Sequence, residues 1–222
     1  MCGRFPFYFT LKDAAKEYRV KDLPEDFAPN YNAAPMQKVP VIYVKESAVH
    51  FEMFRWGLVP HWAKDSKIGS RMINARFETI FEKPSFKNLI TGNRCLMLAN
   101  GFYEWKKTDD RKIPNYIQLK NRQIFGFAAI WSQWKSPLGE NLKTCSIITT
   151  AANDFMTPIH NGMPVIIMKK DEEKWLTTDN MQNIKEIIRL GSGEEMKSFE
   201  ISTLVNNPKN NSPECIAPAE SR

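Results

Sequence analysis

The chain has 222 residues, 42% hydrophobic and 25% charged, enough apolar material for one globular domain with a sizeable core. Lysine and arginine outnumber the acidic residues 31 to 25, and the net charge of +6 favours a polyanionic partner, although a merely basic surface gives the same count. No run of about 18 apolar residues occurs and the first residues lack a charged-then-apolar leader, which argues against a membrane span or export and for an intracellular protein.

Met1-Cys2-Gly3-Arg4 opens the chain. A start methionine before a small side chain is normally trimmed, so the expected mature chain begins at Cys2 and carries a thiol and an α-amine on one residue. With reference pKa values of roughly 8 for the amine and about 8.5 for the thiol, each has a usable nucleophilic fraction near neutrality. Such a 1,2-aminothiol captures an aldehyde first as an imine and then, through sulfur, as a five-membered thiazolidine. Position alone does not establish this role. The other cysteines, Cys95, Cys145 and Cys215, read as inert packing; the spacing of all four fits neither a zinc site nor a redox pair, so no metal and no cofactor is expected.

Thr10 and Asp13 cap a predicted amphipathic helix over TLKDAAKEYRV, and PNYNAAPMQKVP reads as a turn-rich loop suited to a binding rim. VPVIYVK and VHFEMFRW form a predicted hairpin about Lys45-Glu46-Ser47. WGLVPHWAKDSKIGS reads as a long surface loop, with a second loop at Met72 to Arg76. RFETIFEKPSFKNLI holds short helical turns broken at Pro84. RCLMLAN, FYEWKK, Tyr116 to Leu119, QIFGFAAIW, TCSIITT and PVIIM are predicted strands, DEEKWL and MQNIKEIIRL helices, and Phe199 to Val205 a last strand. The tail from Asn206 is rich in Pro, Asn and Ser and is expected to lie over the surface. This order of elements predicts an α+β fold over residues 1–222: a single domain with a strongly bent mixed β-sheet, barrel-like at its core, and peripheral short helices.

Three side chains stand out for proton transfer or positioning. Glu104 lies among large apolar neighbours in Gly101-Phe102-Tyr103-Glu104-Trp105, where burial raises a carboxyl pKa toward the range proton shuttling requires. A lone strand glutamate more commonly faces water. His160 sits in a turn bounded by Pro158 and Pro164, held in one orientation, which suits a proton donor and equally a structural hydrogen-bonder. Asn74 has an amide able to fix a substrate or a nucleophile, or to cap a turn. Basic residues interleaved with tryptophans, among them Arg4, Arg76, Trp56, Trp62 and Trp105, match the make-up of a single-strand binding groove; as ordinary core rings and surface cations they need no ligand.

Seven segments occur in order: Met1-Cys2-Gly3-Arg4-Phe5; Tyr31-Asn32-Ala33-Ala34-Pro35; Arg55 to Pro60 with Trp62; Asn74-Ala75-Arg76-Phe77-Glu78-Thr79; Gly101 to Trp105; Thr149-Thr150-Ala151-Ala152-Asn153; and His160 before Met163-Pro164. As a set they resemble the SOS response-associated peptidase (SRAP) family from residue 1 to about 206. The resemblance implies one compact α+β domain with a barrel-like sheet and a basic groove. It also implies a protein that processes abasic sites by crosslinking itself to them in single-stranded DNA and that reverses the link. It makes Cys2 the nucleophile, Glu104 and His160 the proton-transfer pair and Asn74 the residue positioning Cys2. Arg4, Arg76 and Thr149 become phosphate contacts, and Asn32, Pro35, Trp56 and Trp62 the groove edge. Many relatives carry an arginine two residues after the histidine, where this chain has Gly162, so the salt dependence of binding is expected to be shallower, with Lys83 or another lysine substituting. Single-stranded DNA with abasic sites is the expected partner, with no membrane, no obligate protein partner and a monomer sufficient. Two other classes stay open at this point: an N-terminal-cysteine autoprocessing peptidase, and a non-catalytic single-stranded DNA-binding module.

Overall fold

The computed structural model describes residues 2–20, 22–136, 138–190 and 195–219; the fate of Met1 and the last three residues of the tail lie outside them. Twelve strands and four α-helices are described: β1 (Phe5–Phe7), α1 (Leu11–Tyr18), β2 (Asn30–Ala33), β3 (Lys38–Lys45), β4 (Ala48–Trp56), β5 (Asn74–Arg76), α2 (Leu89–Gly92), β6 (Arg94–Ala99), β7 (Phe102–Lys107), β8 (Lys112–Leu119), β9 (Phe125–Lys135), β10 (Asn141–Ala151), β11 (Gly162–Pro164), α3 (Glu172–Thr177), α4 (Met181–Leu190) and β12 (Met196–Glu200). The helices are short and the sheets dominate, so the predicted α+β class with a bent, barrel-like sheet holds.

Five strands close on themselves: β10 pairs β4, β4 pairs β3, β3 pairs β6, β6 pairs β9, and β9 returns to β10. Closure removes free edges, and the strands that achieve it are the Val-, Ile- and Phe-rich runs that fill a barrel interior. Phe54, Trp56, Leu96, Phe127, Ile130 and Ile147 are all fully buried there. The predicted hairpin forms as expected, Lys45 pairing with Ala48. Helix α1 begins where its cap predicts, the Thr10 hydroxyl accepting from the Asp13 N–H at 3.1 Å.

Strand β10 is longer than the barrel needs. Its first part, Asn141 to Ile147, pairs with β9; beyond that it carries β5 in parallel (Ile147 to Thr149 against Asn74 to Arg76) and β11 antiparallel (Thr149 to Ala151 against Pro164 to Gly162). A separate three-stranded sheet, β12-β8-β7, lies beside this extension, and β1 joins it to the barrel: Tyr103 N–H donates to Arg4 O and Asn100 N–H to Pro6 O, each at 3.0 Å. Gly101 permits the crossing into β7, since a Cβ there would sit 2.2 Å from the Tyr116 ring.

Several expectations need correction. PNYNAAP contains strand β2, bonded to β1, because residues 30–33 complete a ladder with a partner distant in sequence, Phe5 opposite Ala33 and Phe7 opposite Asn30. Met72 to Arg76 ends in strand β5. Only the second half of the predicted 56–70 loop lies at the surface: Leu58 and Val59 are buried, Val59 N–H donates to Thr144 Oγ1 at 2.8 Å, and Ser66–Arg71 forms a 3₁₀ turn. PVIIM contributes only Pro164 to β11, with one further bridge at Ile166. The last strand ends at Glu200; the Ser202 hydroxyl accepts from Leu204 N–H and starts a 3₁₀ turn over Thr203–Asn206. The tail beyond crosses the surface but is anchored, Cys215 being fully buried and Ile201 bridging Pro218.

Candidate active site

Four elements converge at the extended end of β10. Cys2 immediately precedes β1, Asn74 opens β5, Glu104 lies in β7, and His160 ends the turn before β11. The Asn74 amide donates from Nδ2 to Cys2 O at 2.8 Å, fixing the backbone of the candidate nucleophile, and its Oδ1 is buried with no hydrogen-bond partner among the described residues. Trp56 supports this placement from inside the barrel, its indole N–H donating to Ile73 O at 2.9 Å, one residue before Asn74.

Glu104 is 4% exposed, and burial raises its carboxyl pKa, with the nearby His160 drawing it partly back. His160 Nε2 stands 4.0 Å from Glu104 Oε2. On the other side of the ring, Nδ1 lies 3.0 Å from both the N–H and the C=O of Gly162. Accepting from that N–H leaves the proton of a neutral imidazole on Nε2, toward Glu104; a charged ring can donate from Nδ1 to the carbonyl instead. The turn thus accommodates both protonation states without moving the ring. Cys2 is fully enclosed, and burial, then the Glu104 charge, pushes its thiol pKa up. The thiol is thereby favoured over the thiolate.

Two concavities adjoin the group. A cleft of about 890 Å³ is lined by Glu104, His160, Trp105, Lys107, Lys112 and Asn206, among others. A smaller pocket of about 250 Å³ is lined by Arg76, Glu78, Thr79, Thr149 and Gly162, among others. Asn161 borders both, so they are contiguous across the His160 turn. The small pocket is polar in a specific way: the Thr79 and Thr149 hydroxyl oxygens are buried and without a hydrogen-bond partner among the described residues, beside the exposed Arg76. Buried donors held open next to a guanidinium are suited to an oxyanion.

Arg4 is half-buried. Its Nη2 donates to Asn32 Oδ1 and, at 2.7 Å, to Val205 O, while Nε has no partner among the described residues. Asn32 is fully buried and its Nδ2 lies within 3.2 Å of three carbonyls, those of Val205, Asn207 and Asn210. It is therefore a bolt between Arg4 and the tail, and the expectation that it edges a groove is corrected. Trp56 is corrected likewise: it is 0% exposed and packs edge-on against Phe5 at 5.1 Å. Both were misplaced because residue type does not reveal which face of a strand is covered. Pro35 is half-buried and Trp62 is 53% exposed in the 61–71 loop, open to a ligand. Trp105, named with the groove aromatics, lines the large cleft, whereas Thr79, Asn161 and Asn206 were missed as site-lining residues. Thr79 had a signal, its place three residues after Arg76; Asn206, which accepts from the Trp105 indole N–H at 2.7 Å across 101 positions, had none.

A closed barrel bearing a strand extension, with a near-N-terminal cysteine held near a buried carboxylate and an imidazole, places the chain among α+β proteins whose polar site gathers at one end of a β-barrel. The chain belongs to the SRAP family: residues 1–208 match the family described as SOS response associated peptidase. It is 42% identical over 221 residues to abasic site processing protein YoqW of Bacillus subtilis (strain 168), covering 97% of this chain and 99% of that protein. It is 32% identical to abasic site processing protein HMCES of Rattus norvegicus, covering 89% of this chain and 67% of the relative. A solved protein from Bacteroides thetaiotaomicron superposes with a TM-score of 0.88 at 28% identity, over 98% of this chain and all of the other. Among the described residues no helix is long and apolar enough to cross a membrane.

Proposed function

We propose that the protein captures abasic sites in single-stranded DNA as a thiazolidine on Cys2. The observation that carries this reading is the Asn74 hydrogen bond to Cys2 O, which ties the enclosed residue down within reach of the Glu104 charge, behind the carboxyl and imidazole that line the large cleft. Loss of Met1 converts the Cys2 nitrogen from an amide to an amine. Abasic deoxyribose is mostly a closed hemiacetal; opening it moves a proton from the anomeric hydroxyl to the ring oxygen, with His160 as the donor to that oxygen and Glu104 as the acceptor. The amine then attacks the aldehyde carbon, water leaves, and an imine forms. The thiol adds to the imine carbon, its proton passing by way of Glu104 to the nitrogen, and the five-membered ring closes. Aldehyde plus aminothiol give thiazolidine plus one water. The same carboxyl, run backwards, supports reversal. Burial supports the carboxyl role because it keeps Glu104 able to hold a proton at a pH where an exposed glutamate has lost it.

Arg76, Thr149 and Thr79 are assigned to one phosphate beside the lesion, Arg4 to another, and Pro35 and Trp62 to the outer rim. The name of relatives such as YoqW supports the substrate, and the net charge of +6 suits it. Incubation with single-stranded DNA carrying one abasic site tests the proposal. The processed chain is expected to give a heat-stable, gel-shifted adduct, and Cys2→Ala to give reversible binding only. Reversible binding by both forms would leave the binding-module reading in place.

A further inference from the structure

The β7–β8 hairpin forms one wall of the large cleft, and β7 is the edge strand of its sheet. In an antiparallel pair the N–H groups of one strand alternate between the partner and the opposite side. Tyr103 N–H points away from β8, to Arg4 O, so two and four residues further the N–H groups of Trp105 and Lys107 also face the open edge. Lys107 stands directly opposite Lys112, both exposed, and both line the cleft that holds Glu104 and His160. Like charges directly opposite on neighbouring strands destabilise the pair. Among the described residues no ion pair joins either lysine to a carboxylate. An anion lying along the edge would relieve their repulsion.

We infer that this edge is a second phosphate track, along which the DNA strand on the side of the lesion away from Arg76 runs, its phosphates drawn to Lys107, Lys112 and the outward amides of β7. The inference rests on the proposed function and deepens it by giving the strand a path: from the Arg76 pocket, over the His160 turn, and out along β7. It also supplies cationic contacts in a chain that has Gly162 where an arginine was expected. A bare strand edge can equally accept an extended peptide. The paired lysines favour a polyanion.

Each phosphate contact to a single strand contributes about 0.7 to the slope of log affinity against log salt. With the full processed chain and an undamaged 20-nucleotide oligothymidine, Lys107→Gln/Lys112→Gln is expected to flatten that slope by about 1.4. Lys12→Gln/Lys45→Gln, which removes the same charge from α1 and β3, is expected to leave it within experimental error. In addition, oligonucleotides with the abasic site at one end or the other should separate the two flanks, the double variant losing affinity for only one of them. An unchanged slope, as a peptide-binding edge would give, an equal change in the control pair, or equal loss for both oligonucleotides would overturn the track. Wild-type adduct formation is followed in the same preparations. If it persists, such a result removes the track alone, whereas its absence removes the reading of the site itself.

Discussion

Along β10 a single strand passes from one kind of environment to another. From Asn141 to Ile147 it is paired with β9 on one side and with β4 or β5 on the other, and its apolar side chains fill a closed interior. From Ile148 to Ala151 it serves only the short strands β5 and β11, and around it lie Asn74 Oδ1, Thr79 Oγ1 and Thr149 Oγ1, all buried and without partners among the described residues. Ser146 Oγ is a similar orphan within the barrel part. In the barrel part such orphans, Ser146 Oγ and Arg55 Nε among the described residues, sit apart, whereas the extended end gathers its three around β5, with Thr79 and Thr149 lining the pocket beside Arg76. Such unfilled bonding costs stability and is retained where a ligand completes it. Substitutions at the two ends should therefore move stability and DNA handling in opposite proportion.

The largest effect on stability is expected at Trp56. Replacing this fully buried ring by alanine removes its packing on Phe5 and its bond to Ile73 O, and should cost about 3–5 kcal/mol in urea unfolding. Were Trp56→Ala to keep wild-type stability while losing DNA affinity, the assignment of this ring to the barrel would be wrong. Asn32→Ala comes next, at roughly 2 kcal/mol, because it strips a buried partner from the Arg4 guanidinium and leaves tail carbonyls short of a donor. DNA affinity should fall with it, as Arg4 loses the contact that orients it; unchanged affinity would detach Arg4 from the groove.

Glu104→Gln should act in the opposite direction. A carboxyl whose folded pKa is raised binds its proton more tightly in the folded chain. Its stability contribution is full below the ordinary glutamate pKa and declines as pH rises toward the folded value. At neutral pH the amide is expected to unfold at higher temperature, by about 1 kcal/mol, and to flatten that acid-side decline. Adduct formation at saturating DNA should slow by roughly 10²–10⁴-fold, and the pH–rate limb belonging to the carboxyl should vanish. A variant that is less stable and equally fast would show the carboxylate to be structural.

How far the residues announced these two regions differs for a physical reason. The barrel strands were legible because a run such as QIFGFAAIW carries its own burial pattern, and the Thr10 cap and the Lys45–Ala48 turn are local signals. A barrel-like core was expected from the order of elements, but which strands close it was not legible, since the β9–β10–β4 pairing depends on contacts between distant segments. At the site, the apolar neighbours of Glu104 in β7 offered burial as one reading against the commoner outward face, whereas the meeting of Cys2, Asn74, Glu104 and His160 was expected only from resemblance. β2 was concealed by Asn and Pro, and Asn32 and Trp56 were placed on a rim because a residue type carries no record of the face it occupies. The Trp105–Asn206 contact joins residues whose local sequences say nothing of each other.

Thr149→Val gives the smallest change in stability and the sharpest separation of the two ends. Thr149 is 2% exposed, its backbone is fixed between Arg76 on β5 and Pro164 on β11, and its hydroxyl has no partner among the described residues. Valine keeps the branched shape and strand preference while exchanging the orphan hydroxyl for a methyl, so the folded chain loses no bond and sheds a desolvation cost. Thermal unfolding is expected to be unchanged or shifted upward by less than about 1 kcal/mol. Bound DNA, by contrast, loses a hydrogen bond to a charged oxygen, a contact of about 1.5–3 kcal/mol, so affinity for abasic single strands should fall at least about tenfold. Loss of stability with affinity intact would mean that the hydroxyl serves the fold, and the small pocket beside Arg76 would then be a packing defect and not a seat for phosphate.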